Sequence, residues 1–155
     1  MRSMLLALGL SLTPLGGEVS LQDGVIGGAA TADLADLEVQ VGDSRFVARL
    51  GRMAVGAFAL QMADVEVDWL LQPRLSQGDD GLLLGGGVGV RYAGNAATWS
   101  LGPRFLGRAG WSLQGDRRVR TDLFAEGVIG ADLGPQIAAG EIGLRLGVAW
   151  TWGIR

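Results

Sequence analysis

The acidic side chains that could take part in chemistry fall into two short groups. Asp64, Glu66 and Asp68 occupy alternate positions, whereas Asp79 and Asp80 are adjacent and precede a glycine. Paired carboxylates can act as a general acid and base or bind calcium, but neither group has the spacing of an EF-hand loop. The alternate spacing predicts instead that the first group lies on one face of a β-strand, and the adjacent pair predicts a turn.

Nucleophilic catalysis has little support, because none of the 155 residues is a histidine or a cysteine. Ser100 and Ser112 are expected to share a strand face with charged residues, but no histidine is present to activate either hydroxyl. Histidine is also the commonest metal ligand in proteins. We therefore expect a protein that is not an enzyme and that binds neither a cofactor nor a metal ion.

The charge balance argues against a nucleic-acid partner. The 13 basic residues, all arginine, face 16 acidic ones, which gives a net charge of −3 and a pI near 4.8. A nucleic-acid-binding surface normally needs an excess of basic residues. Arginine forms buried ion pairs more readily than lysine does. The 27 glycines are about twice the average usage, and they follow no collagen-like period.

An alternation of apolar with polar or small residues predicts unusually long β-strands. Between Trp99 and Leu113 the odd positions are apolar or small, and Leu106 is the one large apolar residue at an even position. A period of two belongs to strands, and this run exceeds the usual length of 3–10 residues. Similar runs, separated by turn residues, predict eight strands at roughly 18–29, 33–41, 45–59, 63–75, 82–93, 97–114, 117–133 and 140–154.

Arg52 departs from the alternation of the third predicted strand. It shares a face with Phe46, Leu50 and Phe58. A β-bulge near Gly51 would turn its side chain towards the polar face.

The N-terminal residues resemble a secretory signal. Arg2 precedes the apolar run Met4–Leu12, which is followed by a stretch of small residues. We predict a signal peptide over residues 1–17 and a transmembrane β-barrel over residues 18–155. The alternative for the first segment is a first strand. No apolar run approaches the ~18 residues of a membrane-spanning helix.

The tryptophans indicate which strand face is the outside of the barrel. All five lie on the apolar face, and an eight-stranded barrel has an interior too narrow to hold them together with the aliphatic residues. On the outside, indoles suit the two membrane–water interfaces. Trp99 and Trp111 would lie about 30 Å apart along the membrane normal, close to the height of an apolar band. The predicted interface aromatics are Trp69, Tyr92, Trp99, Trp111, Trp150 and Trp152.

The opposite face combines glycines with charges of both signs, which suits a narrow, filled lumen. The predicted lumen ion-pair network comprises Glu66, Asp68, Arg91, Arg104, Arg108, Asp122, Glu126, Glu141 and Arg145. A tight hairpin near Gly115 would place Arg108 opposite Asp122 and Arg104 opposite Glu126, or each one diagonal step away. Arg145 is expected to approach Glu126 from the other side.

The strand number, the size and the alternation resemble the small outer-membrane β-barrels of the OmpA/OmpX type. The last strand also resembles the C-terminal assembly signal of that family, with Arg145, Gly147, Trp150 and Trp152 in its four positions. The chain departs from the family by continuing past the final aromatic through Arg155. The resemblance implies a bacterial outer-membrane location, with the lipid bilayer and the barrel-assembly machinery as partners.

The short predicted connections favour a structural or anchoring membrane protein over a receptor with long loops. Two alternatives remain. One is a narrow porin-like pore for ions or small solutes, which would have the same fold. The other is a soluble lipocalin-like barrel, with its apolar face turned inward around an apolar ligand. The outer wall could also contact a larger membrane complex.

Overall fold

The protein is a closed antiparallel β-barrel. The computed structural model describes residues 6–56, 63–73, 81–94, 98–114, 119–135 and 137–154. Its strands are β1 Leu6–Gln22, β2 Val25–Val41, β3 Ser44–Gly56, β4 Ala63–Leu71, β5 Gly81–Gly94, β6 Trp99–Gln114, β7 Val119–Gly134 and β8 Ile137–Ile154. Each strand pairs with the next, and β8 pairs with β1. The predicted class, an all-β up-and-down antiparallel barrel of eight strands, is confirmed.

Among the described residues, no helix is long and apolar enough to cross a membrane.

The first predicted strand boundary is wrong. The strand expected at 18–29 is interrupted by a turn at Asp23 and Gly24, whose φ angles are 51° and 79°. Two successive positive φ angles define a type I′ hairpin turn, for which Asp-Gly is a preferred pair. The turn is missed when only alternation is considered, because apolar residues continue on both sides of it. The break expected between residues 29 and 33 is absent, and β2 runs unbroken from Val25 to Val41.

Residues 6–17, which fall within the predicted signal peptide, form the first part of β1. They pair with β2 on one side and with β8 on the other. In this structure the barrel is closed through these residues, as in the alternative interpretation of the segment as a first strand.

The strands β1 and β2 contain bulges that change which face points inward. In β1, Leu12 pairs with Val148 and Leu15 with Leu146, so one extra residue is inserted between Leu12 and Leu15. An inserted residue reverses the side-chain alternation of a strand. The polar side chains on both sides of each bulge therefore point into the lumen.

The same change of face explains Arg52. Asp33 and Asp36 of β2 are both buried, and so are their partners Arg52 and Arg49 of β3. The β2–β3 register is constant across this region, because both strands change face at the same level. Arg52 therefore points inward as expected, but the predicted bulge near Gly51 is not present in the β2–β3 pairing, and the register shifts lie between β1 and β2.

The barrel has a marked stagger. Following paired residues once around the barrel from Thr151 returns to β8 at Glu141, ten residues away. A stagger of this size in eight strands corresponds to a strand tilt of roughly 40° and to an interior just wide enough for side chains.

Candidate functional site

The lumen of the barrel is the candidate functional site, because it holds every described arginine. Eight guanidinium groups lie inside, and each is within 4.0 Å of a carboxylate oxygen. These residues are Arg45, Arg49, Arg52, Arg91, Arg104, Arg108, Arg120 and Arg145. The inner face of β5 carries Gly85, Gly87 and Gly89, which leave space for side chains from neighbouring strands.

Glu126 is the centre of the larger ion-pair cluster. Its carboxylate is fully buried and accepts hydrogen bonds from Arg49 at 2.7 Å, Arg108 at 2.9 Å and Arg145 at 3.3 Å. Arg108 also lies over the Phe124 ring, 4.0 Å from its centroid. Three guanidinium groups from three strands therefore converge on one carboxylate.

Further carboxylates extend this cluster. Arg145 donates two hydrogen bonds to Glu66, at 2.7 and 2.8 Å. Arg49 donates to Asp68 at 2.9 Å and to Asp36 at 3.2 Å. Each arginine thus links at least two strands across the lumen.

At the end of the barrel that holds both chain termini, Asp122 is the shared acceptor. Arg45 donates to it at 2.7 Å, Ser112 at 2.7 Å and Arg120 at 3.1 Å. Arg45 also lies 3.0 Å from Glu38, which connects this region to Arg108. We call the connected set the proximal cluster: Arg45, Arg49, Arg108, Arg120, Arg145, Asp36, Glu38, Glu66, Asp68, Asp122 and Glu126.

A second set fills the other end of the lumen. Arg91 contacts Asp64 and Glu141, each at 2.8 Å, and Arg104 contacts Asp132 at 2.8 Å. Arg52 pairs with Glu18 and lies 3.8 Å from Asp64. We call this set the distal cluster: Arg52, Arg91, Arg104, Glu18, Asp64, Asp132 and Glu141.

The nine residues predicted for the lumen network all lie inside the barrel and all form ion pairs. Glu66, Asp68, Arg108, Asp122, Glu126 and Arg145 belong to the proximal cluster, and Arg91, Arg104 and Glu141 to the distal one. The approach of Arg145 to Glu126 also agrees with expectation.

The two cross-strand pairs predicted for β6 and β7 are wrong. Arg108 lies opposite Glu126 and not Asp122, and Arg104 pairs with Asp132 and not Glu126. The observed register differs by four residues along β7 from the first predicted register and by two residues from the diagonal alternative. The prediction assumed a tight turn, whereas the last described pair of the hairpin is Gln114 with Arg120. A longer connection moves every cross-strand partner.

Several lumen residues were missed because they lie on the bulged strands or beyond an interruption of the alternation. They are Glu18, Asp33, Asp36, Glu38, Arg45, Arg49 and Asp132. A signal was available in part of this region, since Asp36, Glu38 and Gln40 alternate and Arg45 and Arg49 follow with even spacing. Arg118, which the alternation of the seventh predicted strand places on the polar face, and the predicted turn at Asp79–Asp80 lie outside the described residues.

A small apolar cluster also points inward and accounts for Leu106. Val47, Leu70, Leu106 and Val128 are buried together. Leu106 therefore packs against the lumen-facing residues of β3, β4 and β7. Aliphatic contacts as well as ion pairs therefore connect strands across the interior.

The inward-facing Gly147 is expected to be intolerant of a side chain. An added Cβ would lie 2.6 Å from the Phe124 ring and 2.6 Å from the Thr13 methyl group. We expect Gly147→Ala to lower the free energy of unfolding by about 1–3 kcal/mol through overpacking. Urea unfolding of the lipid-reconstituted protein would measure this loss. Gly107→Ala is the control, because an added Cβ there meets no atom within 4 Å; equal behaviour of the two variants would contradict a filled lumen.

The outer wall is apolar, and no charged side chain of the described strands lies on it. The predicted interface aromatics all lie on this outer face. Trp69, Trp111, Trp150 and Trp152 are near the end that holds the termini, and Tyr92 and Trp99 are near the other end. Of the residues predicted as an assembly signal, Arg145 and Gly147 face the lumen, whereas the two tryptophans of β8 face outward.

The alternative of a lipocalin-like barrel with an apolar interior is excluded, because arginines and carboxylates face the interior of this barrel.

The strand order and the closure of β8 on β1 define the class of small, closed, eight-stranded antiparallel β-barrels. The crystal structure of Neisserial surface protein A (NspA) is similar to this chain, with a TM-score of 0.56 and 11% sequence identity. The match covers 93% of this chain and 95% of that one. No protein-family model matches the sequence, and no curated protein matches it. The similarity therefore lies in the fold.

Proposed function

We propose that this protein is an integral outer-membrane β-barrel with a closed lumen, acting as a structural or anchoring element of the bacterial outer membrane. The observation that carries the proposal is the inverted distribution of residues, with arginines inside and large apolar residues outside. A wall of this kind is soluble only in a hydrocarbon environment. The chain has the fold of a protein that is named as a surface protein.

The outer aromatics support the proposed membrane position. Trp99 and Trp111 lie on one strand, separated by twelve positions, with outward-facing Leu101, Phe105 and Ala109 between them. At the tilt of this barrel they are about 30 Å apart along its axis. Tryptophans at this separation can occupy both membrane–water interfaces. The predicted partners are accordingly the bilayer and, through the aromatic end of β8, the barrel-assembly machinery during insertion.

The lumen residues support a structural role over catalysis. Ser112 donates its hydrogen bond to Asp122, and Ser100 lies 3.5 Å from the carbonyl oxygen of Ala93. Neither hydroxyl has a neighbouring base of the kind that activates a nucleophile. Ten of the eleven described lumen carboxylates lie within 4.0 Å of a guanidinium nitrogen, and these ion pairs hold strands together across the lumen.

The closed lumen predicts an absence of steady conductance. Buried ion pairs and the apolar cluster fill the cross-section, so ions have no continuous aqueous path. We expect single-channel recordings of the parent protein in planar bilayers to remain at the baseline, with a porin as the positive control. Stable ohmic channels would contradict the closed lumen and would favour the narrow-pore alternative.

A further inference from the structure

The described lumen contains more negative than positive charge. Among the described residues, eleven carboxylates face eight guanidinium groups, which leaves three more negative than positive charges in this part of the lumen. The carboxylates are Glu18, Asp33, Asp36, Glu38, Asp64, Glu66, Asp68, Asp122, Glu126, Asp132 and Glu141. An uncompensated buried charge is costly, so a proton or a bound cation must balance it.

The excess of negative charge is most pronounced at Asp33. Asp33 is buried, with 4% of its surface exposed. It is the one lumen carboxylate of the described residues with no arginine within ion-pair distance. Arg52 lies directly opposite on β3, but its guanidinium pairs with Glu18 and Asp64 of the distal cluster. The Nε and Nη1 atoms of Arg52 donate no hydrogen bond, and no nitrogen of this arginine lies within 4.0 Å of an Asp33 oxygen.

The bulge in β2 turns a second carboxylate, three residues along the strand, into the lumen. Asp33 and Asp36 lie on either side of the bulge and both point inward, where a regular strand would send them to opposite faces. Asp36 has one arginine contact, with Arg49 at 3.2 Å, and Arg49 is shared with three other carboxylates. Two buried carboxylates are thus balanced by a fraction of one guanidinium.

Each carboxylate also has one oxygen with no hydrogen-bond partner. Thr13 donates to Oδ2 of Asp33 at 2.7 Å, and Ser11 donates to Oδ2 of Asp36 at 3.3 Å. The Oδ1 atoms of both aspartates are buried and accept no hydrogen bond. Buried acceptors of this kind normally have a partner, and two on neighbouring carboxylates point to a ligand that binds oxygen.

We propose that Asp33 and Asp36 bind a small monovalent cation of the sodium class inside the barrel, with hydroxyl oxygens of Ser11 and Thr13 beside it. The available donors are oxygens only, which suits a hard cation. Calcium takes 6–8 oxygen ligands, and no group of three or more acidic side chains suited to a metal ion occurs among the described residues. The proposal rests on the lumen geometry and is independent of the membrane location.

Thermal unfolding in different salts tests the site. We expect the parent protein, purified in choline chloride, to unfold roughly 5–10 °C higher in sodium chloride of equal ionic strength. Asp33→Asn removes the charge that would bind the cation. The variant is therefore expected to have the same thermal unfolding midpoint in both salts. Asp43→Asn removes a charge from an exposed turn and should keep the sodium effect of the parent.

Equal midpoints of the parent in both salts would overturn the proposal. The same holds for a midpoint that responds to pH alone, since that result would assign the charge to a proton. If Asp33→Asn fails to fold, equilibrium dialysis of the folded parent against ²²Na⁺ decides the question. About one sodium per barrel supports the site, and the absence of bound sodium contradicts it. The closed lumen and the sodium site fail by different measurements. Conductance of the parent barrel would refute the closed lumen, whereas the absence of bound sodium in dialysis would refute the site.

Discussion

Glu126→Gln is expected to lower the free energy of unfolding by about 3–5 kcal/mol, because it removes the charge that three buried guanidinium groups share. Arg49, Arg108 and Arg145 all donate to this carboxylate within 3.3 Å. A neutral amide supplies one acceptor oxygen and no compensating charge. Equilibrium unfolding in urea, followed by tryptophan fluorescence in lipid vesicles, measures the loss.

A second substitution distinguishes the ion pair from a general loss of packing. Glu126→Gln combined with Arg108→Gln removes both partners of the 2.8 Å pair, and Glu38 keeps its contact with Arg45. We expect the double variant to be more stable than the sum of the two single losses predicts. Arg104→Gln is the matched control, because Arg104 pairs with Asp132 and should show little coupling to Glu126. Equal coupling of both arginines to Glu126 would contradict the observed register.

Leu146→Arg is expected to cost about 2–4 kcal/mol, because in the proposed membrane position it places a cation on the outer wall near the middle of the bilayer. Leu146 lies near the midpoint of β8, points outward and pairs with Ala125 and Leu15. The cost falls to about 0–1 kcal/mol close to a membrane interface. Leu113→Arg, at the end of β6, is therefore the matched control.

The unfolding free energies of both arginine variants in lipid vesicles would be compared with that of the parent. If Leu146→Arg unfolds at the same urea concentration as the parent, Leu146 does not face hydrocarbon. If the two variants lose the same stability, the cost does not depend on membrane depth.

The later strands could be predicted from the sequence because their alternation is unbroken. The strand predicted at 82–93 is β5 Gly81–Gly94, and the one at 97–114 is β6 Trp99–Gln114. The odd positions of β5 and the even positions of β6 face inward throughout. The unbroken alternation therefore predicts both the strand and the face that points into the lumen. The inward position of Arg104 and Arg108 follows from the same pattern.

The first strands are predicted less accurately than the later ones, because bulges reverse the alternation within them. Asp33 and Asp36 are three residues apart and both face the lumen, which a regular strand does not allow. The Asp23–Gly24 dipeptide is a hairpin signal that alternation alone does not contain, because apolar residues continue on both sides of it. The dipeptide and its flanking residues together indicate the β1–β2 hairpin.

The partners within the lumen depend on information that alternation does not contain. Which residue lies opposite Arg108 is set by the length of the β6–β7 connection, and a change there moves every pair along the hairpin. The contact between Arg49 and Glu126 crosses the lumen between strands that are not neighbours. Such contacts follow from the stagger of the closed barrel, which becomes known only when all eight registers are known.

The central claim, that the apolar wall faces lipid and the charged face fills the lumen, is tested most directly by tryptophan quenching. All five tryptophans lie on the outer face. In vesicles that contain lipids with brominated acyl chains, we predict strong quenching of the fluorescence of the parent protein, and weak quenching by aqueous acrylamide. Strong quenching by acrylamide with no effect of the brominated lipids would contradict the claim.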